Sequence, residues 1–363
     1  MIAYCPAMGT VHSTHLSQGE QRAAEAELTV DINRSSGSKE AGTDRASYIA
    51  EKPHSMHQSG NLLGIVVALV LVVGPLLLGL AGLISARRAR ADAVSEPPAL
   101  WNWKLTIISA LLYALAFNLT FFIQELFLVL PKALTPGLRP TLFHNNHSWE
   151  GQNSLASLFQ GTGALATCLT GLACALLLRH GQGRSSTPRL FLIWMTYNGF
   201  FLSLPQVIIG AVNPQNDVGM AMEYFRLGAT AKTGAAFMAL VAIPLVALLL
   251  RRSLLSLADT PGQVASIRAR THFMFQVATL PTVAAILLII PFRVPREWIE
   301  VIAVPVVVIT IGIAWLQAGA WGVTGVKVVG GPLAARSIVY SLATLLVLLV
   351  IFQLLLRPGV RFY

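Results

Sequence analysis

The sequence predicts an all-α fold, a bundle of about eight transmembrane helices, and three observations predict it. Of 363 residues, 55% are hydrophobic and only 12% are charged, about half the charge of an ordinary soluble domain. Eight runs nearly free of charge are each long enough to cross a ~30 Å hydrocarbon layer, which takes about 20 helical residues. None of the runs alternates polar and apolar residues as a barrel strand must, and lipid admits only helices and closed barrels.

Residues 1–60 differ in character from the rest of the chain. They are rich in Ser, Gly, Glu, His and Ala, with seven acids against five bases and no periodic apolar face, so this N-terminal segment is expected to be disordered. No basic stretch leading into an apolar core opens the segment, so a secretory leader is not expected there. Met56, just ahead of the first apolar run, is expected as the true start, with the preceding residues upstream of it.

A second segment, 61–100, holds the first span, Leu62–Ile84, and a linker containing Glu96-Pro97-Pro98. Gly74-Pro75 is expected to kink that span. Trp101 and Trp103 come next, placed as interfacial anchors. A third segment, 101–230, carries three spans, Leu105–Leu130, Leu155–Leu178 and Leu190–Val212, and most of the polar motifs. The fourth, 231–363, carries Thr233–Leu250, Phe273–Phe292, Val301–Trp321 and Ser337–Leu356. Gly161, Gly163 and Gly171 on the third span are expected where helices pack closely.

The net charge of +10 would suggest nucleic acid in a soluble protein. Here Lys and Arg lie in short loops, so the lipid bilayer is the expected partner and nucleic acid is not. Thirteen fall on the side of Arg87, Arg179, Arg251 and Lys327, and eight on the side of Lys132, Arg226, Arg293 and Arg357. The positive-inside rule makes the thirteen-charge side cytoplasmic and turns both termini outward. Compact loops and this bias suit a bacterial inner (plasma) membrane. Cys5, Cys168 and Cys174 supply neither a disulfide framework nor metal spacing.

Glu125 is the one formally charged residue inside the apolar runs. A charge at that depth costs about 2.5–3.5 kcal/mol on insertion scales, so it needs a partner or a role. Asn118 lies seven residues earlier, within about 20° on the helix, and Gln124 about 100° away. Further polar groups fall on the same outer side: the loop His144-Asn145-Asn146-His147, the fourth span with Asn198 and Gln206, and Asn213–Gly219 with Asp217. They are expected to form one site, with Asn118, Asn198 or Gln206 as partners for Glu125. His144 and His147 have i, i+3 spacing, which supports a shared metal on a helix, while a loop rich in Asn and Ser is by default solvated. Asp217 suits a helix N-cap ahead of a short surface helix over 218–227.

Two of these segments resemble the motifs of site-2-protease-type intramembrane zinc metallopeptidases. Gln124-Glu125-Leu126-Phe127-Leu128 is similar to that family's His-Glu-x-x-His, and Asn213-Pro214-Gln215-Asn216-Asp217-Val218-Gly219 to its Asn-Pro…Asp-Gly segment two spans later. The resemblance implies Glu125 at the base position and Asp217 at a ligand position. Gln124 and Leu128 stand where the histidine ligands belong; a Gln oxygen binds zinc poorly and Leu not at all. The resemblance therefore implies a pseudoenzyme, a degenerate relative that kept the core and lost proteolysis, with a binding or scaffold role. Two other readings stand beside it. One is an ion- or proton-coupled transporter using Glu125. The other is a metal-dependent membrane enzyme holding zinc or another divalent metal on His144, His147, Glu125 and Asp217. No protein or small-molecule partner emerges from the residues.

Overall fold

The structure is a computed structural model and describes residues 62–90, 101–180, 185–293, 299–331 and 334–363. Among these residues, eight helices are long and apolar enough to cross a membrane: α1 (Leu62–Ala89), α2 (Trp103–Ala133), α3 (Leu155–His180), α4 (Ser186–Val212), α6 (Ala229–Leu255), α7 (Ile267–Arg293), α8 (Val301–Gly322) and α9 (Ala335–Leu356). A short helix, α5 (Asp217–Tyr224), joins α4 to α6. Among the described residues three short strands, β1 (Arg139–Leu142), β2 (His147–Glu150) and β3 (Val360–Arg361), are added to the helical bundle. Residues 1–60 with Met56 and Cys5, and the Glu96-Pro97-Pro98 linker, lie outside the described residues. The chain divides into a unit Met1–Val66, of which only the first turn of α1 is described, and a unit Val67–Tyr363, which holds the rest of α1 and all the other elements.

The axis of the bundle is α2 and α4. In their most apolar stretches 78% and 72% of residues are buried by protein, against 11% for α1, which is left to face lipid. Glycines let α3 lie directly on this axis, since small residues are what allow membrane helices to approach. A Cβ added at Gly199 of α4 would sit 2.6 Å from the backbone of Gly171 on α3, and one at Gly163 would sit 2.7 Å from Leu128 and 3.0 Å from Gln124 on α2. At the end of α4, Gly210 meets Gly219 of α5 in the same way.

Prolines shape the helices in a repeated manner. Among the described residues, four π-helical turns, Leu69–Val73, Phe275–Thr279, Ile299–Ala303 and Phe352–Leu356, each end two residues before a proline: Pro75, Pro281, Pro305 and Pro358. Proline has no N–H and its ring presses on the carbonyl four residues back. The widened turn relieves that clash, and the residue before the proline bonds five back instead, as Gly74 N–H does to the Leu69 carbonyl. The kink expected at Gly74-Pro75 is thus a π turn over the preceding five residues.

Pro131 is handled differently, and the difference matters for the site. The sequence pattern ends the second span at Leu130, yet α2 runs on to Ala133. The Phe127 carbonyl, which Pro131 leaves without a helical donor, lies 2.6 Å from the Thr162 hydroxyl of α3, which is equally close to the Phe159 carbonyl of its own helix. The helix therefore carries Lys132 inward, and that side chain is fully buried.

The helix ends sort into two faces. At one, Arg251 donates to the Gly319 carbonyl at 2.6 Å, Arg270 to that of Trp321 at 3.1 Å, and Asn102 to the Asp259 carboxylate at 2.9 Å. At the other, β1 pairs antiparallel with both β2 and β3, with Leu142 opposite His147 on one side and Val360 on the other. The C-terminus and the loop after α2 thus share a face, as the alternating topology requires. Val129, Leu142, Phe352 and Leu356 pack beneath this small sheet.

Candidate functional site

Alternation along β2 turns His147 and Trp149 to the same side, towards the end of α2, while Ser148 and Glu150 are exposed. On α2, Glu125 and Lys132 are seven residues apart and so share a face. Between them the structure builds a continuous hydrogen-bonded network. The Glu125 Oε2 atom lies 2.9 Å from His147 Nδ1. The other ring nitrogen, Nε2, lies 3.0 Å from Gln160 Oε1 on α3. Lys132 Nζ donates to that same oxygen, and Gln160 Nε2 donates to Asp217 Oδ1 at 2.8 Å. On the opposite flank Gln206 Nε2 donates to Gln124 Oε1 at 2.8 Å, and Gln124 Nε2 reaches Glu125 Oε1 at 3.4 Å. The Lys132 ammonium stands 4.2 Å above the Trp149 ring, a cation–π contact that strengthens with desolvation.

Donors and acceptors fix the protonation pattern. Lys132 can only donate, so Gln160 must present its oxygen to the lysine and its amide N–H to Asp217. His147 Nε2 then faces an acceptor and carries a proton. One further proton sits between Nδ1 and Glu125, either on the imidazole or on the carboxyl. With that proton on the ring, two cations balance two carboxylates and the network is neutral. Glu125, Lys132 and Gln160 are 4%, 0% and 3% exposed, so each partner is needed to offset the desolvation of the others.

Asp217, outside the membrane-spanning helices, has its pKa raised above the ordinary 3.8, chiefly by burial of the carboxyl; Lys132 and His147 oppose the rise and Glu125 adds to it. A carboxyl whose pKa is higher folded than unfolded stabilises the fold below its unfolded pKa, and that contribution is lost as pH rises through the folded pKa. Stability in detergent is therefore expected to fall as pH climbs above about 4, and Asp217→Asn to flatten that slope. Thermal melts across pH check this; an unchanged slope in the variant would refute it.

The residues singled out by sequence divide into two groups. Glu125, Gln124, His147, Gln206 and Asp217 meet in one network. Asn118 and Asn198 do not: each donates to its own helix, Asn118 to the Ala114 carbonyl at 2.8 Å and Asn198 to that of Trp194 at 2.9 Å. Neither is the partner of Glu125; that partner is His147. The HNNH loop is neither a helix nor a solvated surface. It is a turn closed by Phe143 N–H to the Asn146 carbonyl at 2.8 Å, with His144 and Asn145 buried and Asn145 donating to the Arg293 carbonyl at 2.6 Å. Asp217 is not the cap of α5; Asn216 is, its side chain accepting from Val218 N–H at 3.3 Å. Lys132 and Gln160 were missed. Lys132 reads as a loop charge once Pro131 is taken to end the helix, and Gln160 is one polar residue at the mouth of an apolar span.

Zinc does not fit these residues. The Gln124 oxygen is engaged by Gln206, and Leu128 is buried against Gly163. The Lys132 ammonium and the His147 imidazole already occupy the surroundings of the carboxylates. Among the described residues no three His, Cys, Asp or Glu side chains converge as a ligand set, so His144, His147, Glu125 and Asp217 do not together form one. Compared with known protein families, curated proteins and solved structures, the chain matches none.

Proposed function

We propose that this multi-pass membrane protein has a non-proteolytic, site-2-protease-like core with a binding or scaffold role at its outer face. The observation that carries this reading is the linkage of Glu125 to Asp217 through His147 and Gln160. These carboxylates stand at the base and ligand positions of the two resembled motifs, two spans apart in sequence. Where that family's metal would supply positive charge, this chain supplies it from Lys132, next to the His147 imidazole. A dication there would meet the Lys132 ammonium, and the zinc-ligand positions are Gln124 and Leu128.

Elemental analysis of protein purified in detergent tests the proposal. Zinc and iron are expected far below one per chain, with no change in Glu125→Gln. Stoichiometric metal that disappears in a His144→Ala, His147→Ala double variant would overturn it in favour of a metal-dependent enzyme.

One observation favours a second reading, proton-coupled transport. Glu125 Oε2 and His147 Nδ1 lie 2.9 Å apart within a buried polar network, the setting in which intramembrane acids relay protons. If the pair couples transport, proton-driven uptake into liposomes is abolished by Glu125→Gln. Equal proton movement in wild type and variant removes this alternative.

A further inference from the structure

A cavity of about 1700 Å³ runs between α1, α7 and α8, one end of it at the other face of the bundle. It shares no residue with the Glu125 network. Its walls are largely aliphatic and aromatic, including Leu76, Phe275, Ile313 and Trp321. The polar groups part-way along it are already used within the protein: Thr279 donates to Gln317 Oε1 at 2.7 Å, Gln317 Nε2 to the Thr271 carbonyl at 3.1 Å, and Trp321 Nε1 to the Leu78 carbonyl at 3.0 Å. What remains for a ligand is apolar surface and, at one end only, Arg87, Arg268 and His272. Arg87 and Arg268 are exposed. Among the described residues, no acidic side chain lines the cavity.

Ser266 and Ile267 at that same end begin α7; Ser266 Oγ accepts from the Ala269 N–H at 3.2 Å, and the positive end of the helix dipole favours an anion. From Arg87 to Leu71 the cavity runs along α1 for sixteen residue steps, about 24 Å at ~1.5 Å per step. That is more than half of a ~30 Å hydrocarbon layer, room for a headgroup and the chains beneath it. The basic end lies on the side that the charge bias makes cytoplasmic, where pockets of this kind between helices take anionic lipid headgroups.

We propose that this groove is a binding site for an anionic diacyl phospholipid, its phosphate held by Arg87 and Arg268 and its acyl chains lying along α1 against α7 and α8. Native mass spectrometry of the full chain, delipidated in detergent, tests it with phosphatidylglycerol, phosphatidylcholine of the same acyl chains, and glycerol 3-phosphate. Phosphatidylglycerol is expected to bind on the order of 10-fold more tightly than phosphatidylcholine, since each nearby basic residue adds to the attraction. The free headgroup, lacking chains, is expected not to bind. An Arg87→Ala, Arg268→Ala double variant keeps its helicity and melting temperature, because both side chains are exposed, and loses the preference; Arg268→Glu reverses it. Equal binding of the two lipids by wild type, a preference that survives the double variant, or tight binding of glycerol 3-phosphate alone would each overturn the proposal.

Discussion

Lys132→Met is expected to destabilise the protein by about 3–5 kcal/mol, the cost of removing one member of a buried, hydrogen-bonded charge group. The substitution keeps the apolar stem and deletes the ammonium. Gln160 Oε1 then loses a donor, the contact with Trp149 goes, and Glu125 and Asp217 are left without the ammonium, the His147 imidazole being the remaining basic group of the network. Removing a negative partner as well should restore much of the loss. A Lys132→Met, Asp217→Asn double variant is therefore expected closer to wild type than Lys132→Met alone, with the coupling read from a double-mutant cycle. Unfolding in mixed micelles provides the measurement. A single variant within about 1 kcal/mol of wild type, the range of a surface ion pair, would show that Lys132 does not serve as a buried counter-ion.

Gly199→Val should be damaging for a reason unrelated to charge. The added Cβ would lie 2.6 Å from the Gly171 backbone and 2.7 Å from the Thr167 carbonyl, and backbone cannot step aside as a flexible side chain can. Helices α3 and α4 must separate, and α3 carries Gln160, the centre of the network. Overpacking usually costs about 1–3 kcal/mol, and a backbone clash should reach or exceed the top of that range. Gly234→Val on α6 is the control, since nothing lies within 4 Å of its Cβ position. If both valine variants melt together, the glycine contact is not what sets the α3–α4 spacing.

The eight spans were legible because crossing lipid demands long uncharged helices, a requirement that every stretch must meet by itself. Glu125 was legible for the same reason, as a charge that lipid penalises. Its partner was not. His147 reads as one more residue of an Asn- and Ser-rich loop, and only the four-residue strands β1 and β2 turn it towards α2. Nor could the spacing of Asn118 reveal that its amide donates to the Ala114 carbonyl, a bond any buried Asn on a helix can make.

Lys132 shows the boundary most clearly. Its two-turn spacing from Glu125 was visible, but Pro131 signalled a helix end. The helix continues with the Phe127 carbonyl within 2.6 Å of the Thr162 hydroxyl of another span. Hydropathy and local spacing therefore determined the spans, the alternation of their ends and the residue that most needed explaining. Tertiary structure alone decided which polar groups answer it, because hydrogen bonds between segments remote in sequence depend on which helix faces meet, and no local pattern records that.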